Sequence, residues 1–309
     1  MKSGFVSIVG RPNVGKSTLL NALVGEKLAI VTPKPQTTRT RIQGILNVKA
    51  QKGRDAAQII FVDTPGVHRP DSRLNRKMLQ EIHEALQSPD LILLMVDASE
   101  QPGSGDQQAL EMVKQYSGYG ATAAQSKPAP AFLLLNKIDK VHKEKLLALM
   151  EHYSKLHDFQ EIIPISAGRR QGLDILLERI IAALPQGPPY FPEDQLTDQP
   201  ERFMAAEIIR EKVLRKTERE VPHSVAVMID SFEEKEKLTR IAATIYCERA
   251  GQKGILIGKR GERLKEIGTA ARLELERLLG RKVFLELFVK VTPGWRESAA
   301  FVEELDWRR

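Results

Sequence analysis

The stretch that most limits what this chain can fold into is Gly10-Arg11-Pro12-Asn13-Val14-Gly15-Lys16-Ser17. It has the form G-x-x-x-x-G-K-S and is flanked as its mechanism demands. Residues 5–9 before it read as a short buried strand, and residues 17–24 after it as a helix ended by Gly25. Strand, glycine loop and helix N-terminus together make an anion site, because backbone N–H groups and the positive helix end converge on phosphate oxygens. Gly10 and Gly15 allow that close approach, where a Cβ would intrude. Lys16 would reach the outer phosphates and the Ser17 hydroxyl would ligate Mg²⁺. Residues 10–17 and Thr18 are the expected phosphate contacts.

Residues 28–40 contain Pro33, Pro35 and the threonines Thr37 and Thr38, so they read as a mobile loop rather than a helix or strand. A loop in this place can lend a threonine hydroxyl to Mg²⁺ while a γ-phosphate is present, and fall away after hydrolysis. Thr38 is the expected ligand, with Thr37 the alternative. Residues 41–48 and 58–62 read as two strands joined by the polar turn 51–55. The second ends in Asp63-Thr64-Pro65-Gly66. A carboxylate at a strand's C-terminal end is where a Mg²⁺-linked acid belongs, and the Gly66 N–H could sense the γ-phosphate.

Two more strand–loop units follow, 91–96 ending at Asp97, and 132–135 ending in Asn136-Lys137-Ile138-Asp139. A carboxylate placed as Asp139 can accept hydrogen bonds from guanine N1–H and the 2-amino group. Adenine offers neither donor, so ATP would leave a desolvated carboxylate unpaired, a mismatch that is rejected strongly. Asn136 would tie this loop to the phosphate loop, and the Lys137 stem would cover the base. A last strand, 162–165, ends in Ser166-Ala167, whose N–H groups could meet the guanine carbonyl, and helix 171–184 closes the unit. Alternating strands and helices predict an α/β fold, a mostly parallel six-stranded sheet with its ligand at the strands' carboxyl ends. Residues 118–130, small, polar and proline-containing, read as a flexible surface loop without chemistry.

Phosphoryl transfer needs positioning and charge stabilisation more than covalent chemistry. Lys16, the metal held by Thr38 and its partners, and the Gly66 amide are the residues expected to supply them. A glutamine directly after D-x-x-G commonly orients the attacking water. Position 67 is Val67, which cannot hydrogen-bond water, so slow intrinsic turnover is expected. Asn13 could help hold a monovalent cation such as K⁺ against the phosphates; simple loop hydrogen bonding explains it equally well.

The 309 residues carry a net charge of +7, which permits an anionic partner without choosing one. No run approaches the roughly 18 apolar residues needed to span a bilayer. The first residues hold too short an apolar run for a signal peptide. The single cysteine, Cys247, excludes an intrachain disulfide, suits a reducing compartment, and lies in an apolar strand pattern as a packed thiol. The six histidines show no metal-ligand spacing.

Residues 184–192 hold four prolines and cannot continue a helix, so they mark a stiff connector. Domains over 1–185 and 201–309, joined by 186–200, are the expected organisation. Residues 201–216 read as an amphipathic helix, 224–229 and 238–248 as a strand pair, 264–278 as a helix and 283–291 as a third strand, with a short helix from Trp295. Before the long helix stands Ile257-Gly258-Lys259-Arg260-Gly261, with Lys253, Arg263 and Lys265 nearby. A G-x-x-G turn between helices lets a nucleic-acid backbone come close, and with this element order it matches a type II KH domain clamping about four nucleotides. Ile257, Gly258, Lys259, Arg260, Gly261, Lys253 and Arg263 are the expected RNA contacts. Phe284 and Phe288 are assigned to helix-covered core rather than to base stacking.

Together these motifs resemble the bacterial Era GTPase family over the whole chain. The likeness rests on residues 10–17, Gln36-Thr37-Thr38-Arg39, 63–66, 136–139, 165–167 and the KH turn 258–261; residues 202–212 also look like that family's first KH helix. The resemblance implies a GTPase using GTP/GDP and Mg²⁺ that acts in ribosome assembly. Its KH domain would bind near the 3′ end of small-subunit 16S ribosomal RNA, on the 30S subunit, when GTP is bound. It also implies a cytoplasmic monomer with peripheral membrane association, for which the sequence encodes no anchor. The family commonly carries an apolar residue at position 67. Related GTPases of transfer-RNA modification or with tandem GTPase domains are disfavoured, since their C-terminal catalytic cysteine or second phosphate loop is absent. The alternative is an RNA chaperone gated by nucleotide, with hydrolysis incidental.

Overall fold

The computed structural model describes residues 1–51, 55–68, 70–117, 128–218 and 221–306. It divides into two compact units. Met1–Ala29, Thr38–Arg69 and Lys77–Asp198 form the first; Ile30–Thr37, Pro70–Arg76 and Gln199–Arg309 form the second.

The first unit holds β1 (Lys2–Val9), β2 (Ile42–Val48), β3 (Ala57–Asp63), β4 (Leu91–Asp97), β5 (Ala131–Asn136) and β6 (Glu161–Pro164). They make one sheet in the order β2-β3-β1-β4-β5-β6, parallel throughout except for the β2–β3 pair. Strands β3, β4 and β5 are buried along their whole length, as near-continuous apolar runs in a parallel sheet must be. From β1 the sheet grows in both directions, so the loop leaving β1 sits at the topological switch point, where such sheets bind ligands. That loop is residues 10–15, and α1 (Lys16–Val24) follows it. Val67, Ile82, Leu110 and Leu133 share one core with Val9 and Leu94. The expected strands of this unit appear with ends displaced by at most three residues. The expected loop 118–130 and hairpin turn 51–55 fall mostly outside the described residues.

The proline-rich segment runs against the sheet's first edge. The Gln58 side chain accepts the N–H groups of Tyr190 and Phe191 and donates to the Phe191 carbonyl. The Ile45 N–H donates to the Leu196 carbonyl at 2.8 Å, and the Thr197 hydroxyl to the Gln43 carbonyl at 2.7 Å.

The second unit contains α2 (Glu201–Lys216), β7 (Ala226–Lys235), β8 (Leu238–Cys247), α3 (Ala250–Ile257), α4 (Glu262–Leu279), β9 (Lys282–Val291) and the short α5 (Ala299–Glu304). Its three-stranded sheet has β8 in the centre, antiparallel to β7 and parallel to β9. Ile209, Val213, Ile267, Ala271 and Leu275 pack on Ile241, Ala243 and Ile245, and Cys247 is fully buried with them. Burial pushes the Cys247 thiol above its ordinary range. Helix α2 differs from a simple amphipathic pattern, because Arg210, Glu211 and Lys212 are all buried. Arg210 pairs with Glu207 and donates to the Thr37 carbonyl, while Glu211 accepts the Val31 N–H at 3.1 Å. These partners satisfy charges that would otherwise be costly to bury.

One expectation fails here. Phe284 and Phe288 are 48% and 55% exposed, and the Arg240 guanidinium lies 5.6 Å over the Phe284 ring. On β9 the helix-covered side takes Val283, Leu285, Leu287, Val289 and Val291 instead. A strand's side chains alternate, so choosing one set of aliphatics for the core turns both phenylalanines outward. Among the described residues no helix is long and apolar enough to cross a membrane.

Candidate functional site

The phosphate loop is shaped by one tight approach and by hydrogen bonds from the D-x-x-G turn. Gly66 lies against Pro12, where a Cβ would come within 2.7 Å of the Pro12 backbone nitrogen. The Val67 N–H then donates to the Gly10 carbonyl at 3.1 Å, which binds the D-x-x-G turn to the phosphate loop. The Thr64 hydroxyl, wholly buried, donates to the Ile8 carbonyl and anchors the turn from its other end. Val67 is itself buried in the core, so its side chain is packing material and faces no solvent.

Lys16 is buried, and its ammonium donates to the Gly10 and Arg11 carbonyls at 2.9 and 3.0 Å. Burial pulls its pKa down to about 8, against the opposing pull of Asp63. The Ser17 hydroxyl stands 2.6 Å from Asp63 Oδ2 and 2.9 Å from the Thr38 hydroxyl, and Thr38 also reaches Asp63 Oδ2 at 3.4 Å. Three oxygen donors therefore converge on one point. Burial pushes the Asp63 carboxyl up to about 6, although Lys16, Ser17 and Thr38 draw it down. Its second oxygen, Oδ1, is buried without a hydrogen-bond partner. Two hydroxyls, an orphaned carboxylate oxygen and a nearby cation-lined loop form a donor set of hard oxygens, which suits Mg²⁺ beside a phosphate.

The end of β5 joins this block. Asn136 Nδ2 donates to the Val14 carbonyl at 2.6 Å and its Oδ1 accepts the Ala167 N–H at 3.0 Å. Asp139 Oδ1 accepts from the Ser166 hydroxyl at 2.7 Å, and Oδ2 lies 3.3 Å from Arg169. The Ser166 hydroxyl orders the carboxylate, while the Ser166 N–H donates to the Gln171 carbonyl at 3.0 Å and the Ala167 N–H to Asn136, so the two N–H groups expected to meet the guanine carbonyl are already bonded within the protein. Hydrogen bonding from Ser166 holds the Asp139 carboxyl below its usual range, so it is an acceptor at neutral pH. The Arg11 side chain turns away from this cluster to Asp106 at 3.1 Å and Glu100 at 2.6 Å, leaving its backbone to the loop.

In the second unit, α3 ends at Ile257 and α4 begins at Glu262 across Gly258–Gly261, with Gly258 at φ 73° and Arg260 at φ 52°. A Cβ at Gly258 would lie 2.8 Å from Arg263 Cβ. Lys259 and Arg260 are exposed at the crown of the turn, whereas Lys253, Ile257 and Arg263 are half-buried at its flanks. Arg263 donates to the Ile255 carbonyl at 3.0 Å and so braces the turn. The crown thus presents two cations with no side-chain cover.

A family model described as a 50S ribosome-binding GTPase matches residues 5–137, and a KH domain model matches residues 220–296. The GTPase Era of Geobacter metallireducens is 52% identical over 99% of this chain and 98% of its own. That of Ruminiclostridium cellulolyticum is 49% identical over the same shares. The chain belongs to the Era GTPase family. It is accordingly a P-loop GTP hydrolase with a C-terminal KH domain. Among solved structures, a single-substitution variant of Aquifex aeolicus Era bound to GDP and AlF₄⁻ is 43% identical, with a TM-score of 0.88 over 99% of both chains. An Era in complex with MgGDPNP and nucleotides 1506–1542 of 16S ribosomal RNA is 42% identical, with a TM-score of 0.89 over 99% of this chain and 98% of that one.

Proposed function

We propose that this GTPase, when loaded with Mg²⁺ and GTP, clamps single-stranded RNA near the 3′ end of 16S ribosomal RNA and thereby promotes assembly of the 30S subunit. The observation that carries the reading is the presence, in one chain, of the convergent Ser17–Thr38–Asp63 oxygens and of an uncovered Lys259–Arg260 crown on a G-x-x-G turn. Its Era relative captured with a GTP analogue and 16S nucleotides supports the same assignment.

In this reading Ser17, Thr38 and Asp63 would hold Mg²⁺, which would neutralise phosphate charge. The loop 10–17 with Thr18 cradles the phosphates. Lys16 leaves its two carbonyl acceptors for phosphate oxygens, and the Gly66 amide meets the γ-phosphate. Asp139 reads guanine, Lys137 covers it, and Ser166 and Ala167 close the base pocket. K⁺ beside Asn13 would add charge that Val67 cannot replace. Lys259 and Arg260 bind RNA phosphates, supported by Lys253, Ile257, Gly258, Gly261 and Arg263. The work divides between residues 1–185 and 201–309, in a cytoplasmic monomer.

The test is binding of a short single-stranded RNA matching the ribosomal 3′ end to protein loaded with a non-hydrolysable GTP analogue or GDP, at several salt concentrations. A Lys259→Glu, Arg260→Asp variant serves as control, since both side chains are exposed. Tighter binding in the GTP state, lost in the variant together with about 1.4 units of salt slope, is expected. Equal binding by wild type and variant would refute the clamp.

A further inference from the structure

Asp97 ends β4 in register with Asn136 at the end of β5. Its side chain is only 1% exposed, although the reaction itself asks for no carboxylate there. Both of its oxygens are used. Oδ2 accepts from Lys137 Nζ at 2.6 Å, and Oδ1 accepts from the Ser99 N–H at 2.9 Å and the Ser99 hydroxyl at 2.6 Å. Burial would push this carboxyl up, but the hydrogen bonds from Lys137 and Ser99 prevail and hold it below its usual range. Asp97 is therefore a carboxylate at neutral pH.

The same ammonium donates to the Asn13 carbonyl at 2.9 Å. Both residues joined by that bond are left-handed, Lys137 at φ 66° and Asn13 at φ 64°. L residues other than glycine hold this conformation only where their surroundings fix it. A lysine stem left to itself samples many rotamers. Here its tip is locked between a buried carboxylate and the phosphate loop.

We propose that Asp97 is a positioning residue for guanine nucleotide, fixing Lys137 so that its stem lies along the purine while its ammonium holds the Asn13 peptide of the phosphate loop. This rests on the nucleotide-site reading given above. One buried carboxylate then ties the base subsite to the phosphate subsite. It sets how long GDP and GTP stay bound. It does not set the choice of guanine, because Asp139 is oriented independently by Ser166.

The experiment is displacement of a fluorescent GDP from wild type, Asp97→Asn, Lys137→Met and the double variant, repeated with inosine diphosphate, which lacks the 2-amino group. Asp97→Asn should raise the off-rate at least tenfold and leave the guanine-to-inosine ratio within twofold of wild type. The double variant should be no faster than Lys137→Met alone, since a residue acting through another adds nothing once that one is gone. Ser99→Ala, which removes one donor to Asp97 from a partly exposed site, should give a rise of about threefold that vanishes in the Lys137→Met background. It serves as the test if Asp97→Asn does not fold. An off-rate within twofold of wild type, effects that multiply in the double variant, or a shifted guanine-to-inosine ratio would overturn the inference. A wild-type protein that failed to retain GDP would sink the nucleotide-site reading instead.

Discussion

Asn136 spans two loops with one amide: its nitrogen donates to the Val14 carbonyl at 2.6 Å and its oxygen accepts the Ala167 N–H at 3.0 Å. Removing the amide leaves two buried backbone groups unsatisfied, each worth about 1–3 kcal/mol. Asn136→Ala should weaken GDP and GTP binding at least tenfold, read by equilibrium titration with fluorescent nucleotides. Unchanged affinity would show that the loops hold their positions without it.

The buried Asp63 carboxyl gives the site a pH limit. Its value of about 6 means that the metal-free site holds a proton below that pH and is ionised above it. Mg²⁺ must displace the proton, so its apparent affinity for GDP-loaded protein should be level above pH 7 and fall by about tenfold from pH 7 to pH 5. Asp63→Asn binds Mg²⁺ more weakly throughout and should lack this extra fall, which separates Asp63 from the nucleotide's own phosphate titration.

Val67 sits in the core, so a glutamine there has to bury an amide. Val67→Gln should cost about 1–3 kcal/mol of stability, seen as a lower Tm, and give no faster single-turnover GTP hydrolysis. A rate increase would mean that position 67 can swing out to meet the attacking water.

The outward turn of β9 has a simple mutational signature. Phe288→Ser, at a 55% exposed position, should leave stability within about 0.5 kcal/mol of wild type, whereas Ile245→Ala should cost about 2–5 kcal/mol. Denaturant unfolding monitored by circular dichroism measures both.

That β9 result marks where sequence reasoning ends. The six-stranded sheet was legible because most of its strands are short apolar runs leading into a motif whose chemistry names its own place in the fold, and β2 was given by the hairpin turn that follows it. β9 was not, because Val283-Phe284-Leu285-Glu286-Leu287-Phe288-Val289 offers apolar residues on both sides of the alternation. Burying aliphatics or aromatics satisfies the periodicity equally well, and only the helices above the sheet decide. The Ser166–Asp139 hydrogen bond and the Asp97–Lys137 pair escaped for a different reason. Both join residues brought together by parallel pairing of strands distant in sequence. The buried charges of α2 likewise depend on residues 30–37 lying against them.

The segment after Leu184 has a meaning beyond that of a connector. By giving Ile45 a carbonyl at Leu196 and Gln43 a hydroxyl at Thr197, it occupies the outer side of β2, the edge at which the sheet would otherwise end. A bare edge strand is a template for pairing with another chain. A chain cut at residue 185 would keep every motif for the nucleotide and yet expose β2. Its failing would be colloidal, appearing as self-association that rises with protein concentration while the affinity for guanine nucleotide stays intact.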